Sequence, residues 1–216
     1  MADFESICTV LSAVAKAIHV YRKNNNAPTL WESEREFCST LESTLEGVIS
    51  CSPTNRDFSY NQEINVLIEA VSRPLTSFVD VVAPCISSSP ESWEPDTTDK
   101  ALTALEVDMI EIVIQSVEAM RKDVDKYLHP LSTLLLLYMM EVLSSQPCRA
   151  VTEEELTDLQ NMWQTTRIPA VRDLEQLTEL VFDKTSSIET QQSCLMSMRH
   201  VVQHHWQLVR MTMHGP

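Results

Sequence analysis

The residues with the clearest chemical potential are three histidines close to the end of the sequence. His200 and His204 are four residues apart, so on a helix both imidazoles lie on one face, and His205 is adjacent. Two imidazoles at this spacing can share a metal ion, as they do in the HExxH motif. Here Val201 stands where that motif needs glutamate, and no acidic or cysteine ligand is placed beside the histidines in sequence. The pattern favours a solvated or docked helix face, with a pH-sensitive contact as a further interpretation.

Nucleophilic and carboxylate chemistry has no comparable pattern in this sequence. The six cysteines are scattered without a local histidine partner, and no GxSxG motif occurs. The acidic run 153–155 coincides with a helix start, where the helix dipole explains it. Di-iron bundles need Glu-x-x-His, which is absent from the sequence. We therefore predict that the protein is not an enzyme and holds no metal or cofactor.

Glycine is scarce, and its scarcity predicts the fold class. Gly47 and Gly215 are the only two glycines, whereas average usage of roughly 7% would give about fifteen. Hairpin turns and phosphate-binding loops both consume glycine, so the sequence predicts an all-α protein without a nucleotide-binding loop. The net charge of −15 disfavours direct binding to nucleic acids and to anionic membrane surfaces.

The cysteines and the first residues indicate a reducing compartment. The cysteines show no close pair, and the opening "MADFESICTV" carries acids where a signal peptide needs bases. We expect free thiols and an intracellular location, cytoplasmic or nuclear.

The most apolar run is 131–143, which is bracketed by Pro130 and Pro147. Its 13 residues are fewer than the roughly 20 that a membrane-spanning helix needs. An apolar helix that is too short to span is typical of a buried core helix. We therefore predict no membrane insertion, while the wall of a cavity for a hydrophobic ligand is the alternative.

Apolar residues recur at three- and four-residue steps along most of the chain. They predict a bundle of about seven to nine helices, with a short α-solenoid as an alternative arrangement. Two sequence patterns, Thr152 to Glu155 and Ser186 to Glu189, predict capping boxes. Three predicted helices have both ends defined and cover 3–23, 98–128 and 131–143. Four others are defined by their starts, near Thr29, Ser59, Thr152 and Ser186, and the one from Thr152 is interrupted at Pro169.

Prolines predict where helices end and where the chain divides. Pro74 predicts a kink or break near Ser72. The proline- and serine-rich segment 84–99 predicts a loop. We expect one helical domain over 1–216, with a subdivision at that loop into 1–83 and 100–216.

Two regions are candidates for partner binding. Trp93 lies between Glu91 and Glu94 in the polar segment, where no core is evident, and exposed aromatic residues often anchor interfaces. The competing candidate is the last helix, through Trp206, Val209 and Met213.

Without a catalytic pattern, the leading hypothesis is a non-enzymatic adaptor or subunit of an intracellular assembly, which binds partner helices or peptides in an interhelical groove. A carrier of a hydrophobic ligand and a viral structural or host-interacting protein are the alternatives. The partner's identity and the oligomeric state are not specified by the sequence.

Overall fold

The computed structural model describes residues 4–25, 30–50, 58–87, 104–145, 151–166, 168, 172–183 and 186–214. Every regular element in these ranges is an α-helix, so the all-α prediction is confirmed, and the seven helices described fall within the predicted range. They are α1 (Phe4–Asn25), α2 (Leu30–Ser50), α3 (Asn61–Ser87), α4 (Ala104–Ser144), α5 (Glu153–Thr166), α6 (Arg172–Phe182) and α7 (Ile188–His214).

The chain forms two compact units, and α3 and α4 each contribute a segment to both. Unit 1 comprises Met1–Ile49 and Ile68–Tyr127, and unit 2 comprises Ser50–Leu67 and Leu128–Pro216. The α3 and α4 segments on either side of residues 88–103 belong to unit 1, and the expected single domain with a subdivision at 84–99 stays a prediction.

Unit 1 is built from α1, α2 and parts of α3 and α4. The buried stripes of these helices arise from apolar residues spaced three and four apart, which place a single face towards the core. An ion pair links α2 to α4 inside this unit: Arg121 Nη1 lies 2.7 Å from Glu34 Oε1 and donates to Ser33 Oγ at 2.8 Å. Fully buried side chains of the core include Leu11, Val14, Leu41, Leu45, Val71, Leu75, Val82, Val113, Val117 and Val124.

Unit 2 is organised around the second part of α4. Every residue from Leu131 to Tyr138 is buried, which confirms the core assignment of this run. Helix α7 is attached to α4 by the Arg199–Glu141 ion pair, whose Nη2 and Oε2 atoms are 2.7 Å apart. An aromatic cluster adds edge-to-face contacts: the rings of Phe58 and Tyr138 are 5.2 Å apart, and those of Tyr60 and Trp206 are 6.2 Å apart.

Three prolines of the described residues lie inside helices, where the predicted helix ends were wrong. Helix α3 continues through Pro74 and Pro84 to Ser87, so no break occurs near Ser72 and residues 84–87 are not a loop, while the alternative of a kink near Ser72 stays a prediction. Helix α4 continues through Pro130, so the described part of the predicted helix 98–128 and the predicted helix 131–143 belong to one 41-residue helix, while 98–103 lie outside the described residues. The described structure thus shows that proline did not terminate any of these segments.

The two predicted capping boxes have different outcomes. Thr152 caps α5 as predicted: Glu155 N donates to Thr152 Oγ1 at 3.2 Å, and Thr152 N donates to Glu155 Oε2 at 2.9 Å. The cap of α7 is one residue later than predicted, because Thr190 N donates to Ser187 Oγ at 3.2 Å. Ser187, rather than Ser186, therefore satisfies the free amides of that helix start.

In the described ranges, none of the helices combines the length and the apolar character that crossing a membrane requires. The apolar part of α4 is buried within unit 2.

Candidate functional site: a groove between α3 and α4

A groove of about 380 Å³ lies between α3 and α4 in unit 1. From α3 it is lined by Arg73, Ser77 and Val81, which are spaced four residues apart and therefore follow one face of the helix. From α4 it is lined by Ser116, Ala119, Met120 and Asp123, which occupy two successive turns. The groove is thus a product of two helix faces that are distant in sequence.

The floor of the groove is apolar and firmly packed. Phe78 and Met120 are each 4% exposed, and Pro74 is half-buried beside them. Methionine adapts its shape to a partner more readily than branched side chains do. The floor therefore offers a fixed aromatic ring next to an adaptable thioether.

One wall of the groove presents apolar surface to solvent. Val81 is 51% exposed, although valine at a packed helix position is normally covered. Ile112, one helical turn before Ser116 on the same face of α4, is 47% exposed. Val81 thus gives the groove an apolar side chain that a partner could cover.

Two opposite charges flank this apolar surface. Arg73 and Asp123 are both exposed, and both line the groove. Neither side chain makes an ion pair or hydrogen bond within the described residues. Both groups are therefore available to a ligand without breaking an existing contact.

The residues nominated from the sequence do not form this groove. Trp206 is 2% exposed and lies in the core of unit 2, so its side chain is not an accessible anchor. Val209 is half-buried, and Met213 is 37% exposed on α7. Trp93 lies outside the described residues. The partner-binding role of these four residues stays a prediction.

The three histidines of α7 that the sequence places close together have different environments in the structure. His200 and His204 are exposed on α7, whereas His205 turns inward and contacts His129 of α4. In the part of the chain that the structure describes, no three His, Cys, Asp or Glu side chains come together as a metal site would require. His200 and His204 thus lie on a solvent-exposed face of α7.

The two buried cysteines described in unit 1, Cys8 and Cys38, have raised thiol pKa values. Burial, with a smaller effect of Glu34 and Glu42, raises the pKa of Cys38 to about 12. Burial, with a smaller effect of Glu46 and Glu42, raises the pKa of Cys8 to about 11. Because the thiolate is the nucleophile, both groups are poor candidates for covalent chemistry near neutral pH.

Sequence reasoning missed the groove because its residues are ordinary when read one by one. The one available signal was Val81, an apolar residue that falls off the buried stripe of α3 formed by Leu75, Phe78 and Val82. Such an off-stripe residue indicates a surface position, but not which helix will lie beside it.

Comparison with protein-family models, with curated proteins and with solved structures gives no match for this chain. The function has to be argued from the geometry of the groove.

Proposed function

We propose that the protein is a non-enzymatic interaction module of a larger intracellular assembly, and that the α3–α4 groove receives an amphipathic helix of a partner protein. The observation that carries this proposal is the combination, at one place, of a packed apolar floor, the exposed Val81 and two unpaired opposite charges. Helices bind such grooves with apolar anchors at i, i+3 or i+4, and i+7.

The size of the groove suits a short helical segment. From Arg73 to Val81 the groove follows nine residues of α3, whose eight steps of 1.5 Å correspond to roughly 12 Å. A partner helix of two to three turns covers the same length. Its central apolar side chain would contact Phe78, Met120 and Val81.

The charges favour a particular kind of partner. Arg73 and Asp123 would pair with an acid and a base beside the partner's apolar anchors, which fixes the orientation of the helix more than its affinity. The net charge of −15 favours a partner that is basic overall, since long-range attraction raises the association rate. We expect association to slow as salt is added.

The alternative of a hydrophobic-ligand carrier stays a hypothesis. It needs a cavity beside residues 131–143, and none of the residues that line the α3–α4 groove belongs to that range. Residues Leu131 to Tyr138 are instead packed within unit 2.

The decisive experiment compares two exposed valines on the same helix. Val81 lines the groove and is 51% exposed, whereas Val66 is 59% exposed and does not line it. We would change each to aspartate in the full chain, confirm that both variants keep the wild-type helicity and unfolding midpoint, and compare their partners by quantitative affinity purification. Val81→Asp should lose a partner that Val66→Asp retains.

Reversing the charges of Arg73 and Asp123 provides a second test of the groove. Arg73→Glu and Asp123→Lys should each weaken binding of the same partner, because each creates a like-charge contact. If folded Val81→Asp and both reversed variants keep every partner of the wild type, the groove is not the binding site.

A further inference from the structure

Two histidines form a direct contact between α4 and α7 in unit 2. His129 Nε2 and His205 Nε2 are 3.0 Å apart, and their rings meet edge to face with centroids 5.1 Å apart. A hydrogen bond between two imidazole nitrogens needs one N–H and one lone pair. The hydrogen bond can therefore form when both rings are neutral or when only one is protonated, and it is lost when both rings are protonated.

The surroundings of the pair disfavour positive charge. Burial lowers the pKa of His129, although a hydrogen bond with the Thr166 backbone of α5 partly opposes this effect. Burial also lowers the pKa of His205, and the positive charges of His129 and His204 lower it further. The groups that act on the pair thus come from α4, α5 and α7, and no carboxylate is among them.

The direction of the pH effect follows from these shifts. A free histidine has a pKa of about 6.5, so the unfolded chain takes up protons as the pH falls below about 7. In the folded protein both pKa values are lowered, so the two histidines bind protons only at a lower pH than in the unfolded chain. The stability contributed by the contact is complete above about pH 6.5 and is lost as the pH falls through the lower folded values.

We propose that the His129–His205 contact is a pH-sensitive latch that holds α7 against α4, and that mild acidification opens it. Trp206, the residue after His205, is buried and contacts Tyr60 in the same unit. Two protons at most are involved, so the ratio of closed to open α7 changes by no more than about a hundredfold per pH unit. This latch lies in unit 2, whereas the groove lies in unit 1.

The test replaces the two titrating rings with a pair that cannot titrate. Glutamine both donates and accepts hydrogen bonds, so His129→Gln/His205→Gln keeps a polar contact and removes the proton uptake. The control is His200→Gln, which removes an exposed histidine of the same helix that is not among the groups acting on His129 or His205. Amide hydrogen exchange of α7, corrected for the intrinsic pH dependence, would be measured in the full chain from pH 7.5 to 5.5.

We expect protection of α7 to fall at least tenfold over this range in the wild type and in the control, and to change much less in the double variant. Equal losses in all three proteins would overturn the latch. If the double variant does not fold, NMR titration of the wild-type imidazoles replaces it. Titration of His129 and His205 at or above a pKa of about 6.5 would then reject the proposal, and titration well below it would support it.

Discussion

Replacing Trp206 with alanine should destabilise the protein strongly, because this side chain is core rather than surface. It is 2% exposed and contacts the ring of Tyr60, while its indole N–H has no hydrogen-bond partner among the described residues. The contribution of Trp206 to the stability of the folded protein therefore comes almost entirely from apolar burial and packing. Removing a buried tryptophan in this way costs about 3–5 kcal/mol, equivalent to a roughly 10²- to 10⁴-fold change in the folding equilibrium.

The assay is urea unfolding at pH 7.5, followed by far-UV circular dichroism. With a urea m-value of about 2–3 kcal/mol/M, the midpoint should fall by roughly 1–2.5 M. Met211→Ala is the matched control, since Met211 is 64% exposed on the same helix and such a change costs about 0.5 kcal/mol or less. Trp206→Phe should lie between the two, because it keeps an aromatic ring. A Trp206→Ala midpoint equal to that of Met211→Ala would refute the core assignment.

Leu135→Ala should cost about 2–5 kcal/mol in the same assay, since Leu135 is 1% exposed. Thr152→Ala should cost about 0.5–2 kcal/mol through loss of the α5 cap, and Thr152→Ser should restore most of it. In alkylation followed by peptide mass spectrometry at pH 8, Cys38 and Cys8 should react more slowly than the half-exposed Cys85, because burial raises their pKa values to about 12 and about 11. Faster labelling of Cys38 than of Cys85 would contradict this arrangement.

The sequence was sufficient for the fold class and for much of the core. Glycine scarcity removed the turns that sheets need, and apolar residues at helical spacing identified faces that the structure buries. On α7, for example, Leu195, Met198, Val202 and Trp206 follow one stripe, and all four are buried. The stripe itself indicated core, whereas the partner-binding interpretation of Trp206 rested on the segment's charge and its position near the end.

Helix boundaries at the prolines were beyond sequence reasoning because local and tertiary effects compete there. A proline inside a helix costs about 3 kcal/mol, which favours a break. Each fully buried apolar side chain contributes about 1.5–3 kcal/mol in the opposite direction. Around Pro130, Leu128, Leu131 and Leu134 are all buried, and several such residues outweigh one proline. Proline does favour a helix break at these positions, but the free energy contributed by tertiary packing is larger.

The groove depends on a pairing that periodicity cannot reveal. Residues 73–81 and 116–123 become its two walls only when α3 and α4 lie side by side. Likewise, His129 and His205 are 76 residues apart, so their contact could not be inferred from the HVVQHH pattern alone. The sequence predicted a partner-binding interhelical groove without naming its helices, and that binding role stays a prediction; the structure shows which residues line the groove between α3 and α4.

Site-specific photo-cross-linking tests the proposed groove most directly. A photoreactive residue would replace Ser77, an exposed residue inside the groove, and, as a control, Gln62, an exposed residue of α3 outside it. In native extract, the probe at 77 should cross-link a helical, apolar-anchored segment of a partner, and the same product should disappear when Val81→Asp is added. The probe at 62 should not form it. If the folded protein enters its assembly while the probe at 77 yields no product that depends on Val81, the groove is not where the partner binds.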